Sequence, residues 1–312
     1  MTAQSAASVG GAPAADSAGA ATIAGREAAA VAIEDAGMTY PDGTRALQPV
    51  RLRIAPGEFV TLLGPSGCGK STLLKMIAGL LEPTQGSIAL WGRPAGGRAA
   101  AGRKLAFVFQ SPTLMPWANV RANVRLPLDL ARVPAAEAAH RVDAALALVG
   151  LAEFSAALPR TLSGGMQMRV SIARSLVTQP QLLLMDEPFG ALDEITRYKL
   201  DAELLDLWRA QGLTVIFVTH SIQEAVFLSS RVIMMAARPG RVTDDVVIDE
   251  PYPRRPEFAV SARFSQYARR LQESLLQASG GADGGLAPGP AQDAAQGPAG
   301  DTGAARVTGT RA

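Results

Sequence analysis

Short runs of apolar and β-branched residues alternate with stretches of helical periodicity through the middle of the chain. Runs such as 59–63 and 182–186 are too short for a helix, and their continuous apolar character is typical of strands buried on both faces. The predicted strands are 59–63, 105–110, 182–186, 214–219 and 231–235, and the predicted helices are 70–80, 166–177, 194–210 and 221–228. This alternation predicts an α/β fold with a mainly parallel sheet and helices on both faces.

Two other parts of the chain depart from this alternation. Residues 31–34, 47–54 and 87–91 have the pattern of short strands bounded by turn residues, which predicts an antiparallel subdomain. Residues 111–162 lack strand patterns and carry several prolines among helical pieces. This second segment predicts an inserted helical subdomain.

The two ends of the chain differ in composition from the rest. Residues 1–30 are rich in Ala, Gly and Ser, and residues 279–312 are rich in Gly, Ala and Pro, with almost no large apolar side chains. Such segments cannot bury enough apolar surface to offset the entropy lost on ordering, so we expect two disordered tails. The sequence therefore predicts one ordered domain over residues 31–278.

Composition and charge exclude several classes of protein. With 312 residues, 48% of them hydrophobic, the chain is long enough to bury a large core. The formal net charge is +2 and no dense basic run occurs, so we expect no nucleic-acid partner. We find no apolar stretch of about 18 residues and no secretion signal, and therefore expect a cytoplasmic protein. The single cysteine excludes an intrachain disulfide.

A glycine-rich loop lies between the first predicted parallel strand and the helix that follows it. Residues 64–72 read Gly-Pro-Ser-Gly-Cys-Gly-Lys-Ser-Thr, which fits the phosphate-binding pattern G-x-x-x-x-G-K-[ST]. The glycines let backbone N–H groups turn toward phosphate oxygens, and the helix N-terminus adds partial positive charge. We expect Lys70 to reach the β- and γ-phosphates and Ser71 to ligate Mg2+. The predicted nucleotide contacts in this loop are Gly64, Pro65, Ser66, Gly67, Cys68, Gly69, Lys70, Ser71 and Thr72.

Two acidic residues, Asp186 and Glu187, end the buried strand pattern that begins at Leu182. Open α/β sheets bind ligands at the carboxyl ends of their strands, so Asp186 is expected to hold Mg2+ there. Glu187 is then the natural base to polarise an attacking water. A solvated acidic turn would explain the pair taken alone, but the upstream phosphate loop favours a nucleotide site.

Together with the sequence Leu-Ser-Gly-Gly at 162–165, these motifs make the chain resemble the ATP-binding subunit of an ABC transporter from about residue 31 to 276. The resemblance implies a P-loop NTPase fold of the ABC ATPase type, with an antiparallel β subdomain and a helical subdomain inserted at about 111–162. It also implies ATP and Mg2+ as ligands. The chain departs from the family pattern at 166–169 and at Gly190, and neither departure replaces a group that contacts phosphate in the family.

The resemblance also implies roles for single residues. Tyr40 falls where the family stacks an aromatic ring on adenine, and Gln110 matches a glutamine that contacts Mg2+ and water. His220 matches a histidine that contacts the γ-phosphate. The implied catalytic residues are Glu187, His220, Gln110 and Lys70, and the implied metal ligands are Ser71, Gln110 and Asp186.

Other matched residues imply a dimer. Ser163, Gly164 and Gly165 match the signature that meets the γ-phosphate bound to the opposite subunit, and Asp193 matches a loop that links the two sites. Two copies of the chain would then clamp ATP between them. An integral membrane permease is the implied partner, with a periplasmic substrate-binding protein acting indirectly, and the subunit would lie on the inner face of the cell membrane.

The surface near residues 110–125 is expected to bind the permease, since it carries Leu114, Met115, Trp117 and Val120 close to Gln110. Residues 110–120 and 185–196 resemble the nitrate, sulfonate and taurine importer group. Importers of vitamin precursors use similar ATPases, and a soluble ABC ATPase of translation or DNA repair remains an alternative. The signature disfavours a P-loop kinase or GTPase.

Overall fold

The computed structural model describes residues 29–96 and 105–280. Most of each predicted tail lies outside the described residues. Ala30, at the inner end of the first tail, is fully buried, and its carbonyl accepts a hydrogen bond of 3.1 Å from the Trp91 amide. The described residues therefore extend slightly beyond the domain bounds of 31–278 that the sequence predicts.

The described residues form an α/β structure. The strands are β1 Val31–Thr39, β2 Arg45–Ile54, β3 Phe59–Leu63, β4 Gln85–Leu90, β5 Arg93–Pro94, β6 Leu105–Val108, β7 Leu182–Asp186, β8 Thr214–Thr219, β9 Arg231–Ala236 and β10 Arg241–Val247. The helices are α1 Lys70–Ile77, α2 Val120–Leu130, α3 Ala135–Leu148, α4 Gly164–Leu176, α5 Glu194–Gln211, α6 Ile222–Leu228, α7 Pro256–Ala259 and α8 Ala262–Gly280. Two short 3-10 turns, Ala152–Phe154 and Pro159–Thr161, lie between α3 and α4.

The larger sheet has six strands in the order β10-β9-β3-β8-β7-β6. All of its neighbouring strands pair in parallel except β10, which pairs antiparallel with β9. Every residue of β3 and of β8 is buried, as their continuous apolar sequences predict. Alternate residues of β3 face different cores, with Phe59 and Leu63 packing in one and Val60 and Leu62 in the other. The predicted mainly parallel sheet is confirmed.

The smaller sheet is antiparallel, with the order β2-β1-β4-β5. Its strands β1 and β2 are longer than their sequence patterns predict, because the partly polar stretches 35–39 and 45–46 continue the pairing across register shifts. The sheet packs its buried face on α1 in the core that contains Val60 and Leu62. Strand β1 ends at Thr39 and so places Tyr40 beside the phosphate loop.

Helices α2 and α3 lie within the insertion predicted at about 111–162, and α4, which follows it, packs against both of them. Strand β10 and helix α8 were not predicted at all. The sequence of β10, Arg-Val-Thr-Asp-Asp-Val-Val, lies at the sheet edge, where most of its residues are exposed or only partly buried, so it lacks the apolar run that identifies the central strands.

Candidate nucleotide-binding site

The phosphate loop connects β3 to α1, and two of its glycines are required by the backbone. A Cβ added to Gly64 would lie 2.3 Å from the carbonyl oxygen of Met235 on β9. Gly69 has a φ of 89° immediately before α1 begins. No side chain caps this helix, so its first amide groups stay free to bind an anion.

Lys70 is the first residue of α1, and it is only 4% exposed. Its Nζ donates hydrogen bonds to the carbonyl oxygens of Gly64 at 2.8 Å and Pro65 at 3.0 Å. The same nitrogen lies 3.8 Å from Oε1 of Glu187. The ammonium is thus fixed between the loop backbone and a carboxylate, where a phosphate group can compete for its positive charge.

Ser71 joins α1 to the end of β7. Its Oγ donates a hydrogen bond of 2.8 Å to Oδ1 of Asp186. Burial raises the pKa of Asp186, against the lowering effect of the Ser71 hydrogen bond. A divalent cation would offset this burial, because hydroxyl and carboxylate oxygens are the hard ligands that Mg2+ prefers. The donor set therefore fits Mg2+, with phosphate oxygens and water completing the coordination.

Glu187 and His220 follow the adjacent parallel strands β7 and β8. Glu187 has a φ of 45°, and its backbone N–H donates a 3.0 Å hydrogen bond to the carbonyl of Val218. Its Oε2 lies 3.2 Å from Nδ1 of His220. This left-handed backbone conformation is uncommon for a non-glycine residue and often marks a functional site. The arrangement holds a carboxylate and an imidazole together at the sheet edge where ligands bind.

Lys70, Ser71, Asp186 and Glu187 line a cavity of about 480 Å³, whereas His220 is not one of its lining residues and lies beside Glu187. The predicted site residues that line it are Tyr40, Ser66, Gly67, Gly69, Lys70, Ser71, Thr72, Gln110, Asp186 and Glu187. Tyr40 is 37% exposed, and its hydroxyl lies 3.2 Å from Oγ1 of Thr72. An exposed aromatic ring beside a phosphate loop suits stacking on a nucleotide base.

Four lining residues were not among the predicted contacts. They are Thr44, Arg45, Ala46 and Gly240. Gly240 donates a 3.2 Å hydrogen bond from its N–H to the carbonyl of Ala46, which holds the turn after β9 against β2. Arg45 adds a cation to the wall of the cavity. No local motif marks these residues, because β2 and the Gly240 turn meet only through tertiary packing.

Three residues of the phosphate loop do not line the cavity. Gly64 packs against β9, and Pro65 contributes its carbonyl to Lys70. Cys68 is 1% exposed, and burial raises the pKa of its thiol. The cysteine side chain therefore fills space beneath the loop and does not face the cavity.

The predicted signature residues do not line this cavity. Ser163 caps α4 by accepting a 3.3 Å hydrogen bond from the Met166 amide, so Gly164 and Gly165 form the first turn of that helix. Asp193 caps α5 by accepting a 2.9 Å hydrogen bond from the Thr196 amide, which lowers the pKa of the Asp193 carboxyl. Neither helix start lines the nucleotide cavity of its own chain.

Two features are absent from the part of the chain that the structure describes. None of its helices combines the length and the apolar character needed to cross a bilayer. Within the same residues, His, Cys, Asp and Glu side chains form no group of three or more that could hold a metal. The Mg2+ ligand set considered above has Asp186 as its single carboxylate, so it differs from such a cluster.

Comparison with known proteins gives consistent matches. The sequence profile of the ABC transporter family matches residues 47–190. An ATP-binding protein of Brucella abortus (strain 2308) is 46% identical over 233 residues, covering 75% of this chain and 88% of the relative. The aliphatic sulfonates import ATP-binding protein SsuB of Bacillus subtilis (strain 168) is 46% identical over 215 residues, covering 68% of this chain and 82% of the relative.

A solved structure is similar over the same region. It is the dimeric, post-hydrolysis state of the ATP-binding cassette MJ0796, bound to ADP and phosphate. The TM-score is 0.63 and the sequence identity is 33%, with 71% of this chain and 100% of that chain covered.

Proposed function

The chain belongs to the ATP-binding proteins of ABC transporters and is an ATPase, and from that premise we propose that it energises solute import through a separate membrane permease. The main support for the proposed site is that one cavity is lined by Lys70, Ser71, Asp186 and Glu187. These side chains come from two sequence regions more than a hundred residues apart, and each has a distinct task in phosphoryl transfer.

Binding of ATP begins with the phosphate loop. The free amides at the start of α1 and the Lys70 ammonium would hold the β- and γ-phosphates. The phosphates would then replace Glu187 as the near anion of Lys70, which lies 3.8 Å from that carboxylate. Tyr40 would stack on the base at the other end of the cavity.

Hydrolysis requires a positioned water and neutralised charge. Glu187 would orient the water by accepting its proton, and His220 at 3.2 Å would hold Glu187 and contact the γ-phosphate. Ser71, Asp186 and Gln110 would hold Mg2+, which supplies charge neutralisation at the phosphates when bound. Lys70 stabilises the same developing charge from the loop side.

A second copy of the chain would complete the site. Ser163, Gly164 and Gly165 form a helix start that does not reach the cavity of its own chain. Such a helix N-terminus is suited to meet a γ-phosphate held by another subunit. The dimeric form of the similar MJ0796 cassette supports this arrangement.

The helical subdomain would contact the permease. Of the four apolar residues expected there, Val120 is fully buried and Leu114 is partly buried, which corrects the expectation that all four form the surface. Trp117 is 78% exposed and lies close in sequence to Gln110 at the cavity. An exposed tryptophan is a frequent anchor in protein interfaces. The subunit would then sit on the inner face of the membrane.

The cargo we propose is a small anion of the sulfonate, nitrate or taurine type, delivered by a periplasmic binding protein. The similarity to an aliphatic sulfonates import protein supports this class. Growth of a deletion strain on each anion as sole sulfur or nitrogen source tests it. Normal growth on all of them, with failure to take up a vitamin precursor, would support the vitamin importer instead.

Replacing Glu187 by Gln tests the site and the dimer together. The variant should bind ATP, should release no phosphate, and should remain dimeric with ATP by light scattering, because hydrolysis no longer opens the pair. Wild-type phosphate release would exclude Glu187 as the base. Membrane co-purification tests the permease, and a protein that never associates with one in its native host would be a soluble ABC ATPase.

A further inference from the structure

A polar cluster lies beneath the two turns that carry Asp193 and His220. Its members are Arg197 and Asp201 on α5 and Glu224 on α6, and all three line a cavity of about 390 Å³. Asp201 is 4% exposed and Glu224 is 5% exposed. Buried charges are retained at a cost in desolvation, so their contacts call for an explanation.

Arg197 contacts both of the turns through one guanidinium group. Its Nη2 donates a 3.0 Å hydrogen bond to the carbonyl of Leu192, the residue before Asp193. Its Nε lies 3.5 Å from Oε1 of Glu224, which is an ion pair and not a hydrogen bond, since Nε has no hydrogen-bond partner among the described residues. A planar fork with several donors makes both contacts at once, whereas a single ammonium does not.

Glu224 continues the connection toward the catalytic histidine. Its Oε2 accepts a hydrogen bond from the hydroxyl of Thr219, and the Oγ1 of Thr219 accepts one of 2.9 Å from the Ser221 amide. The Glu224 amide donates in turn to Oγ of Ser221 at 3.3 Å. Thr219 and Ser221 flank His220 on both sides. The backbone that presents His220 to Glu187 is therefore fixed by Glu224.

We propose that Arg197 and Glu224 are positioning residues for ATP hydrolysis, holding the 190–193 turn and the His220 turn in one fixed relation. This inference rests on the proposed roles of Glu187 and His220. Neither positioning residue lines the nucleotide cavity. Their effect reaches the reaction through the 3.2 Å contact between His220 and Glu187.

Asp201 lines the same cavity as the ion pair of Arg197 and Glu224. It lies one helical turn after Arg197, and no hydrogen-bond partner for its Oδ1 occurs among the described residues. Burial and the charge of Glu224 raise the pKa of Asp201 to about 8, so it is largely protonated at neutral pH. Burial also raises the pKa of Glu224, against the lowering effects of the Thr219 hydrogen bond and the charge of Arg197. Within the described residues, the carboxylate that pairs with Arg197 is that of Glu224.

The test is Arg197→Lys in the full chain, with Arg231→Lys as the matched control. Arg231 is similarly buried and also joins a carbonyl, that of Arg53, to a carboxylate, that of Asp245, but it lies at the far end of the sheet. We expect kcat for ATP hydrolysis to fall about 10- to 100-fold in Arg197→Lys, as for a small misplacement of a catalytic group. The KM for ATP should stay within about twofold, because ground-state binding is untouched. The control should keep the wild-type kcat.

Variants of Glu224 add a graded measurement. Glu224→Gln keeps an acceptor for Thr219 and loses the charge that pairs with Arg197, while Glu224→Ala loses both. We expect kcat to decrease in the order wild type, Gln, Ala. The double variant Arg197→Lys with Glu224→Gln should lose no more than the larger single loss, since both act through one contact.

Several results would overturn the proposal. They are an unchanged kcat in Arg197→Lys, an equal loss in Arg231→Lys, additive losses in the double variant, or a rise in KM in proportion to the fall in kcat. Glu187→Gln, assayed in parallel, distinguishes a failure of the proposed catalytic site from a failure of the positioning role. If Glu187→Gln hydrolyses ATP normally, the proposed site is wrong. If it is inactive while Arg197→Lys matches the wild type, only the positioning role is wrong.

Discussion

Asp201 is expected to make the folded protein less stable as the pH rises, and replacing it by Asn should remove that dependence. The side chain is 4% exposed, and its Oδ1 has no hydrogen-bond partner among the described residues. Burial first, and then the charge of Glu224, raise its pKa from 3.8 to about 8, against the opposing charge of Arg197. Asn has the same shape and stands in for the protonated carboxyl.

The magnitude follows from proton linkage. Between the unfolded pKa of 3.8 and the folded pKa of about 8, the folded state holds one more proton at this site than the unfolded state. The free energy of unfolding therefore falls as the pH rises, by about 1.4 kcal/mol per pH unit. Asp201→Asn lacks this pH dependence. The free energy of unfolding of the variant, relative to that of the wild type, should therefore rise by about 3 kcal/mol from about pH 5.5 to about pH 7.5.

Urea unfolding of the full chain at both pH values measures the difference. In thermal melts the same change corresponds to about 2–4 °C per kcal/mol. Asp206→Asn is the matched control, because Asp206 is exposed on the same helix and its removal deletes the same formal charge. A gap between Asp201→Asn and the wild type that does not widen with pH, or that widens equally for Asp206→Asn, would show that Asp201 is ionised in the folded protein and refute the reasoning.

Three further results are expected. Lys70→Ala removes a 4% exposed ammonium from the phosphate loop, so ATP binding by calorimetry and phosphate release should both be lost, and normal turnover would exclude the site. Gly64→Ala places a Cβ 2.3 Å from the Met235 carbonyl, so the melting temperature should fall by the equivalent of about 1–3 kcal/mol; an unchanged melting temperature would contradict the close packing of β3 and β9. Trp117→Ala, at a residue 78% exposed, should reduce co-purification with the permease and leave ATPase activity unchanged, whereas a large fall in stability would place Trp117 in the core.

The sequence by itself determined the central sheet and the strand ends at which the proposed nucleotide site lies. Strands 59–63, 182–186 and 214–219 have the predicted bounds, because strands buried on both faces need continuous apolar residues and end where polar residues begin. Parallel strands bring their carboxyl ends to one sheet edge. The phosphate loop after β3 and the Asp186–Glu187 pair after β7 therefore had to meet. The ABC ATPase fold and the ATPase activity implied by these motifs are confirmed.

Tertiary structure alone decided the contacts between elements that no motif connects. Edge strand β10 is paired on one side and mostly exposed or only partly buried, so its polar sequence carries little strand signal. Arg45 and Gly240 reach the nucleotide cavity only because the turn after β9 packs on β2. Arg197 meets Glu224 only because α5 lies against α6. Apolar periodicity records which face of an element is buried, but the neighbour that covers that face is fixed by packing of the whole chain.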